Sequence, residues 1–310
     1  MQTMLQKTFP AMGTIHTITL YGKNRGGLAE RMRREVLAMD RAWSIFREDS
    51  TLSELNRSAG IAPVSVDEDT LALLNTCVSL CKLTDGAFDV TSGALSALWR
   101  TAAKQNRMPG EDALRSAMTR TDARSIVLNG KDRTAYLPKT GQAVDFGGIA
   151  KGFASDRLKE MLLSEGVRDA MLNLGGNVTA VGQPVSIGVR NPFVPKDAPI
   201  GTLTICNRSV VTSGSYERFC SIGGRRYHHI IDPHTGYPSE SGLVSVTLIG
   251  SNATDLDALA TGVFVLGAER GQKILKERNI DAIFITTEGE VRITESLKSS
   301  FSLRKDLCTA

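Results

Sequence analysis

The chain has 310 residues, of which 41% are hydrophobic and 23% charged, enough apolar material for a sizeable core in one large domain or two modest ones. Its formal net charge is only +4 and 5% of its residues are aromatic. With no long Lys/Arg run, that balance argues against a nucleic-acid arm or a base-stacking platform and makes a small anionic ligand the natural partner. No stretch of 18 apolar residues is present to span a membrane. The opening MQTMLQKTFPAMGTIHTITL has neither an unbroken apolar core nor a small-residue cleavage site, so a cytoplasmic protein is expected, although a trimmed exported protein would read the same. The five cysteines, Cys77, Cys81, Cys206, Cys220 and Cys308, are odd in number and scattered, as expected of reduced thiols rather than a disulfide framework.

Alternation over 14–22 predicts a strand with Thr14 and His16 on one face and Ile15 on the other. Leu28, Met32, Val36, Met39 and Trp43 recur every three or four residues and predict a helix. A second helix is expected over 67–83, with Leu71, Leu74, Val78 and Cys81 as its stripe. On it, Cys77 and Cys81 read as buried core thiols or as a metal pair. A polar stretch covers 101–124, and 125–129 with 134–137 reads as a hairpin around Gly130-Lys131. A helix over 149–164 carries Phe153, Leu158, Met161 and Leu162. Short strands broken by Gly, Pro and Asn fill 169–246. Helices at 255–265 and 269–278 follow, then a strand at 281–287 and a closing strand at 291–294. This mixture lacks a regular βαβ rhythm, has no 20–50-residue repeat and shows no linker. The expectation is an α+β fold, one compact body of one or two lobes, with 1–310 forming a single domain.

Several familiar sites are missing. No G-x-x-x-x-G-K-[ST] or G-x-G-x-x-G is present, and H-E-x-x-H, C-x-x-C and G-x-S-x-G are absent. The match of 79–82 to S-x-x-K and of 139–141 to K-T-G lacks an S-D-N between them, so a penicillin-binding type of serine site is set aside.

Three segments offer chemistry. In VDFGGIAKGFASDRL (144–158), an apolar strand ends in an acid, and two glycines lead into a helix that begins near Lys151. Gly147 and Gly148 allow close approach of backbone to a ligand, and a helix N-terminus favours anions; a plain strand-to-helix turn reads the same. In SNATDLDALATGVFVLG (251–267), Asp257 and Thr261 are four apart and share a helix face. They are hard oxygen donors of the kind Mg²⁺ takes together with phosphates. Thr254 to Asp257 equally fits a T-x-x-D capping box, in which Asp257 serves the helix start. In RRYHHIIDPHTGYP (225–238), Asp232-Pro233 and Gly236 demand a turn, and three of the chain's four histidines fall within seven residues. His229 has the chemistry of a general base, against the alternative of a structural ring at a strand end. GAFDVTSGAL (86–95) and VVTSGSYERF (210–219) add hydroxyls and backbone donors in Gly-containing turns, with Asp89 a candidate helix cap.

In this order, AMGT (11–14), GAFDVTSG (86–93), VDFGGIAKGFASD (144–156), NLGGNV (173–178), VVTSGSYERF (210–219), HHIIDPHTGYP (228–238) and DLDALATGVFVLG (255–267) resemble the ApbE family of FAD:protein FMN transferases. The blocks span nearly the whole chain. The resemblance implies a T-fold-like α+β architecture, FAD as substrate and Mg²⁺ as cofactor. By position, Asp257 and Thr261 look like the side-chain metal ligands, and the carbonyl of Gly148, where the family often has alanine, like the backbone one. Met12, Phe88, Asp89, Val90, Asp145, Lys151, Thr212, Ser213 and Ile231 fall at flavin or adenine-dinucleotide positions, and His229 matches the family's proposed base. The implied reaction cleaves FAD, joins FMN through a phosphoester to a Thr or Ser of an acceptor flavoprotein and releases AMP. Acceptors carry a D-x-x-[ST]-x-[AST]-T-like pattern, which 89–95 approaches but ends in Leu95, so self-modification is not expected. The alternatives are an FAD pyrophosphatase using water at the same site and a flavin-binding protein. Many members carry an export signal that this chain does not show, which leaves compartment and acceptor open.

Overall fold

The computed structural model describes residues 3–194 and 198–304; Cys308 lies outside the described residues. The chain opens with β1 (Met4–Ala11) and β2 (Thr14–Tyr21), an antiparallel pair in which His16 faces Phe9. β1 escapes a pattern search because it is an edge strand, largely exposed, with Pro10 inside it. Helix α1 (Gly26–Trp43) buries Leu28, Met32, Val36, Met39 and Trp43, as their spacing predicts. After α2 (Thr51–Arg57) and β3 (Val64–Ser65), α3 (Glu68–Leu83) starts at an Asp67 carboxylate that accepts the Thr70 N–H at 2.7 Å. Cys77 and Cys81 are buried in its core face, and their thiol pKa values are raised chiefly by that burial.

The stretch read as polar, 101–124, holds the end of α4 (Gly93–Gln105) and all of α5 (Glu111–Arg120). Helix α5 buries only Leu114 and Ala117, too narrow a stripe to show in the sequence; docking on α4 makes it a helix. Then come β4 (Val127–Asn129) and β5 (Thr134–Tyr136), the expected hairpin, and α6 (Ala150–Ser164). The strand-rich half runs through β6 (Ala170–Leu174), β7 (Asn177–Val181), β8 (Val185–Arg190), β9 (Pro199–Ile205), β10 (Ser209–Gly214), β11 (Phe219–Ile222), β12 (Arg225–His228) and β13 (Leu243–Gly250). Helices α7 (Ala253–Leu266) and α8 (Ala268–Glu277) precede β14 (Asp281–Thr286) and β15 (Val291–Ile293). A further strand, β16 (Phe301–Leu303), follows the one expected to close the chain; it forms only by pairing with β9.

Eight strands make one antiparallel sheet in the order β1-β2-β6-β7-β10-β13-β14-β15. Its two faces are told apart by alternation. Leu172, Val211, Val246, Leu248 and Phe284 point to the helices and join the main core. Ala180, Val210, Ile249, Ile283 and Ile285 point the other way, onto the small sheet β16-β9-β8. Helix α7 is the middle of the helical layer, with ten of its fourteen residues buried. Burial on nearly all sides explains why its sequence is apolar almost all round rather than striped. A third cluster, with Leu95, Trp99 and Ile231, packs α4 and α5 against the β11–β12 hairpin.

Candidate active site

The N-terminus of α6 and the middle of α7 meet at a glycine. A Cβ built on Gly152 would run into the Ala253 carbonyl and stand 2.8 Å from Asp257 Cβ, so only glycine admits this approach. Across it, the Gly152 N–H donates to Asp257 Oδ2 at 3.0 Å. The start of α7 is served by others. Asn252 is its N-cap, accepting from the Asp255 N–H, while Asp156 of α6 accepts from the Ala253 and Thr254 N–H groups and the Thr254 hydroxyl. The capping-box reading of Thr254 and Asp257 is therefore wrong. Asp257 is left facing α6, 4% exposed, with Lys151 Nζ 3.5 Å from its Oδ2.

Around that carboxylate the structure gathers other residues named from the sequence. Lys151 Nζ also reaches the Gly147 carbonyl at 3.4 Å. Gly148 abuts Thr261 and Phe88: an added Cβ would lie 3.3 Å from Thr261 Oγ1 and 3.6 Å from Phe88 Cε2. Ser213 Oγ and Thr261 Oγ1 are 3.4 Å apart. Asp145 accepts the Gly147 N–H at 2.9 Å and is itself held by its own N–H to the Val90 carbonyl. The Asp257 carboxylate and the Gly147 carbonyl thus share the Lys151 ammonium, and the Thr261 hydroxyl, one helical turn from Asp257, lies beside Gly148. Among the described residues no group of three or more His, Cys, Asp or Glu is arranged for a metal. The Asp257 carboxylate and the Thr261 hydroxyl, with a backbone carbonyl of the 147–148 turn, are the hard oxygen donor types that Mg²⁺ takes together with phosphate oxygens.

The three neighbouring histidines are separated by their hydrogen bonds. His228 is engaged on both nitrogens, with the Ser239 carbonyl at 3.0 Å and the Ile230 N–H at 3.3 Å, and its ring packs edge-on to Phe264. His234 is engaged by Asp232 and by the Asp85 carbonyl. His229 uses Nδ1 alone, 3.0 Å from the Arg218 carbonyl. A carbonyl only accepts, so Nδ1 carries the hydrogen and Nε2 presents a lone pair. His229 is exposed at the surface, yet its surroundings are dense. Loss of hydration first, then the Arg218, His228 and Lys151 charges, lower its pKa to about 4.

Other residues named from the sequence stand differently. The Asp89 carboxylate is buried and accepts from the Thr91 N–H and hydroxyl, the Ala123 N–H and the Cys81 thiol. It ties the 86–92 loop to the 121–126 turn rather than capping α4, which begins at Ser92 without a side-chain cap. Thr212 bonds Thr247 on the sheet face opposite Ser213. Ile231 is packed in the third core cluster. Met12 is half-buried in the β1–β2 turn with a positive φ of 48°. Two residues carry no sequence mark at all. Phe46, 81% exposed, lies under the Arg100 guanidinium, which also approaches Asp145 Oδ2 at 3.7 Å. Their proximity joins α4 to segments more than forty residues away on either side, so no local pattern reveals it.

Fold and site thus define an α+β protein with a lysine at a helix N-terminus beside a buried carboxylate, and a neutral histidine. The sequence profile of the ApbE family matches residues 12–284. An FAD:protein FMN transferase of Klebsiella pneumoniae is 34% identical over 292 residues, covering 94% of this chain and 92% of its own. One of Treponema pallidum is 35% identical over 309 residues, covering 92% and 85%. Among solved structures, the ApbE protein of Thermotoga maritima superposes with a TM-score of 0.88 at 31% identity, covering 96% of this chain and 99% of its own. The flavin transferase ApbE of Vibrio cholerae gives 0.85 at 27% identity, covering 97% and 100%. The chain belongs to the ApbE family, and with it to the transferases.

Proposed function

We propose that the protein cleaves FAD and transfers its FMN half to a Thr or Ser hydroxyl of an acceptor flavoprotein, releasing AMP in a Mg²⁺-dependent reaction. The observation that carries this reading is the pairing of a neutral His229, its Nε2 lone pair free, with an anion-binding end of α6 whose Lys151 lies within electrostatic reach of that ring. His229 Nε2 takes the proton of the acceptor hydroxyl, whose oxygen attacks the phosphorus on the riboflavin side. The bond to the adenylate phosphate breaks and AMP departs with the electron pair. Lys151, at the N-terminus of α6 where the helix dipole favours anions, holds the pyrophosphate oxygens through that change. When bound by Asp257, Thr261 and the Gly148 carbonyl, Mg²⁺ would supply neutralisation of the phosphate charge. Phe88 braces Gly148, and the exposed Phe46 offers an aromatic face for a planar ring system.

The acceptor comes from another chain. In the acceptor-like 89–95 segment the place of the acceptor Thr is taken by Leu95, which has no hydroxyl and is fully buried. A second reading, hydrolysis of FAD, draws on the exposure of His229, which lets water take the hydroxyl's place. Incubation with FAD, Mg²⁺ and a protein carrying a D-x-x-[ST]-x-[AST]-T segment separates these. A fluorescent acceptor with equimolar AMP supports transfer, free FMN with AMP means hydrolysis, and intact FAD overturns both. Chelation by EDTA should stop AMP release, and Mg²⁺ should restore it.

A further inference from the structure

We propose that His16 and Asp40 are positioning residues for the FAD site, acting through the one peptide group they hold between them. The inference rests on the flavin role proposed for Met12. The β1–β2 turn is two residues long, and both take the left-handed conformation, Met12 at φ 48° and Gly13 at φ 70°. A hairpin of this kind prefers Asn or Gly at its first position, where a Cβ is penalised. A methionine kept there against that preference is the kind of strain that surrounding structure must enforce, and such strain concentrates at ligand sites.

The enforcement is visible. The Ala11 carbonyl accepts from His16 Nε2 at 2.9 Å, and the Met12 N–H donates to Asp40 Oδ1 at 2.9 Å. These are the two polar atoms of a single peptide, gripped from opposite sides by β2 and α1. His16 cannot yield. It is wholly buried, stacked on Phe9 with ring centroids 5.7 Å apart, and opposite Leu174 in the sheet. Its Nδ1 has no protein partner, a burial cost that an apolar residue at this place would not carry. The bond to Ala11 is what the imidazole provides in return.

The clamp stands beside the reacting centre. Lys151 and Asp40 both act electrostatically on His16. A Cβ on Gly13 would lie 3.8 Å from the guanidinium of Arg218, whose carbonyl orients His229. The Met12 side chain, half-buried against the main core, is thereby held at one fixed angle from the turn.

The test is the FAD dissociation constant, read by flavin fluorescence without any acceptor, alongside the thermal midpoint. His16→Leu and Asp40→Ala should each weaken FAD binding about tenfold, the worth of one lost buried hydrogen bond. His16→Gln and Asp40→Asn, which keep a donor for Ala11 and an acceptor for Met12, should recover to within about threefold of wild type. In a Met12→Ala background, Asp40→Ala and His16→Leu should add less than about twofold, because the clamp then has nothing to present. Unchanged affinity in the folded variants, or losses that simply add to that of Met12→Ala, overturn the proposal. If His16→Leu does not fold, the two Asp40 variants and His16→Gln decide it. Wild-type protein that binds no FAD overturns the flavin reading itself, a result distinct from bound FAD that ignores the clamp.

Discussion

With its Nδ1 hydrogen committed to the Arg218 carbonyl, His229 is a neutral base at ordinary pH, and its low pKa keeps it so under mild acid. His229→Ala should lower the initial transfer rate by roughly 10²–10⁴-fold and change FAD affinity little, because a base acts mainly in the transition state. The acid limb of kcat/KM should follow the lowered ring. Transfer is then flat from about pH 8 to about 5.5 and falls only as the ring takes a proton nearer 4, whereas a limb near 6.5 would mean that a free imidazole is titrating. His228→Ala should leave kcat within about twofold, but costs about 1–3 kcal/mol in a melt because its ring satisfies Ser239 and Ile230. Asp257 is tested by Asp257→Asn, which retains an acceptor for the Gly152 N–H and removes the charge. FAD cleavage should fall by roughly 10²-fold or more while the fold persists; retained turnover at saturating Mg²⁺ would remove Asp257 from the metal site.

The junction of α6 and α7 is where element packing becomes chemistry. Asp156 caps α7, Gly152 lets the two helices touch, and Asp257 receives the α6 backbone. Gly152→Ala should separate the helices, destabilise the fold by about 1–3 kcal/mol and lower activity beyond that loss. A folded, fully active Gly152→Ala protein would show that the close approach is dispensable. Such junctions are poorly legible in sequence. Helices α1, α3 and α6 and the β4–β5 hairpin were readable because their own periodicity or turn residues specify them. Helix α5, the edge strand β1 and the late strand β16 were not, since each depends on a partner distant in the chain. The capping-box reading failed for the same reason: an acid one helix away, Asp156, competes better for the α7 terminus than the local Asp257.

Across the whole molecule, three of the four histidines, His16, His228 and His229, have pKa values lowered first by burial. The unfolded chain takes up protons near the ordinary pKa of about 6.5 that these native rings refuse, so their contribution is complete above that pH and is lost as pH falls through 6.5 toward the folded values. The thermal midpoint should decline from about pH 7.5 to about pH 5, with a shallower slope in His16→Gln; a midpoint that rises with acid would contradict this. FAD should raise the midpoint because it binds only the folded protein, and FMN, lacking the adenylate, should raise it less.

By itself the sequence determined the family and the α+β class, and it named the candidate site residues, since ordered blocks such as 144–156 and 255–267 are contiguous and their chemistry is local. Tertiary structure alone decided which partners each of those residues takes. It directed Asp257 to α6 instead of its own helix terminus, committed both nitrogens of His228 and left Nε2 of His229 free. It turned Thr212 away from Ser213 and brought both Phe46 and Asp145 to Arg100. The physical reason is that a side chain's role follows from which hydrogen-bond partners are already taken, and those partners are brought together only when helices and sheet pack.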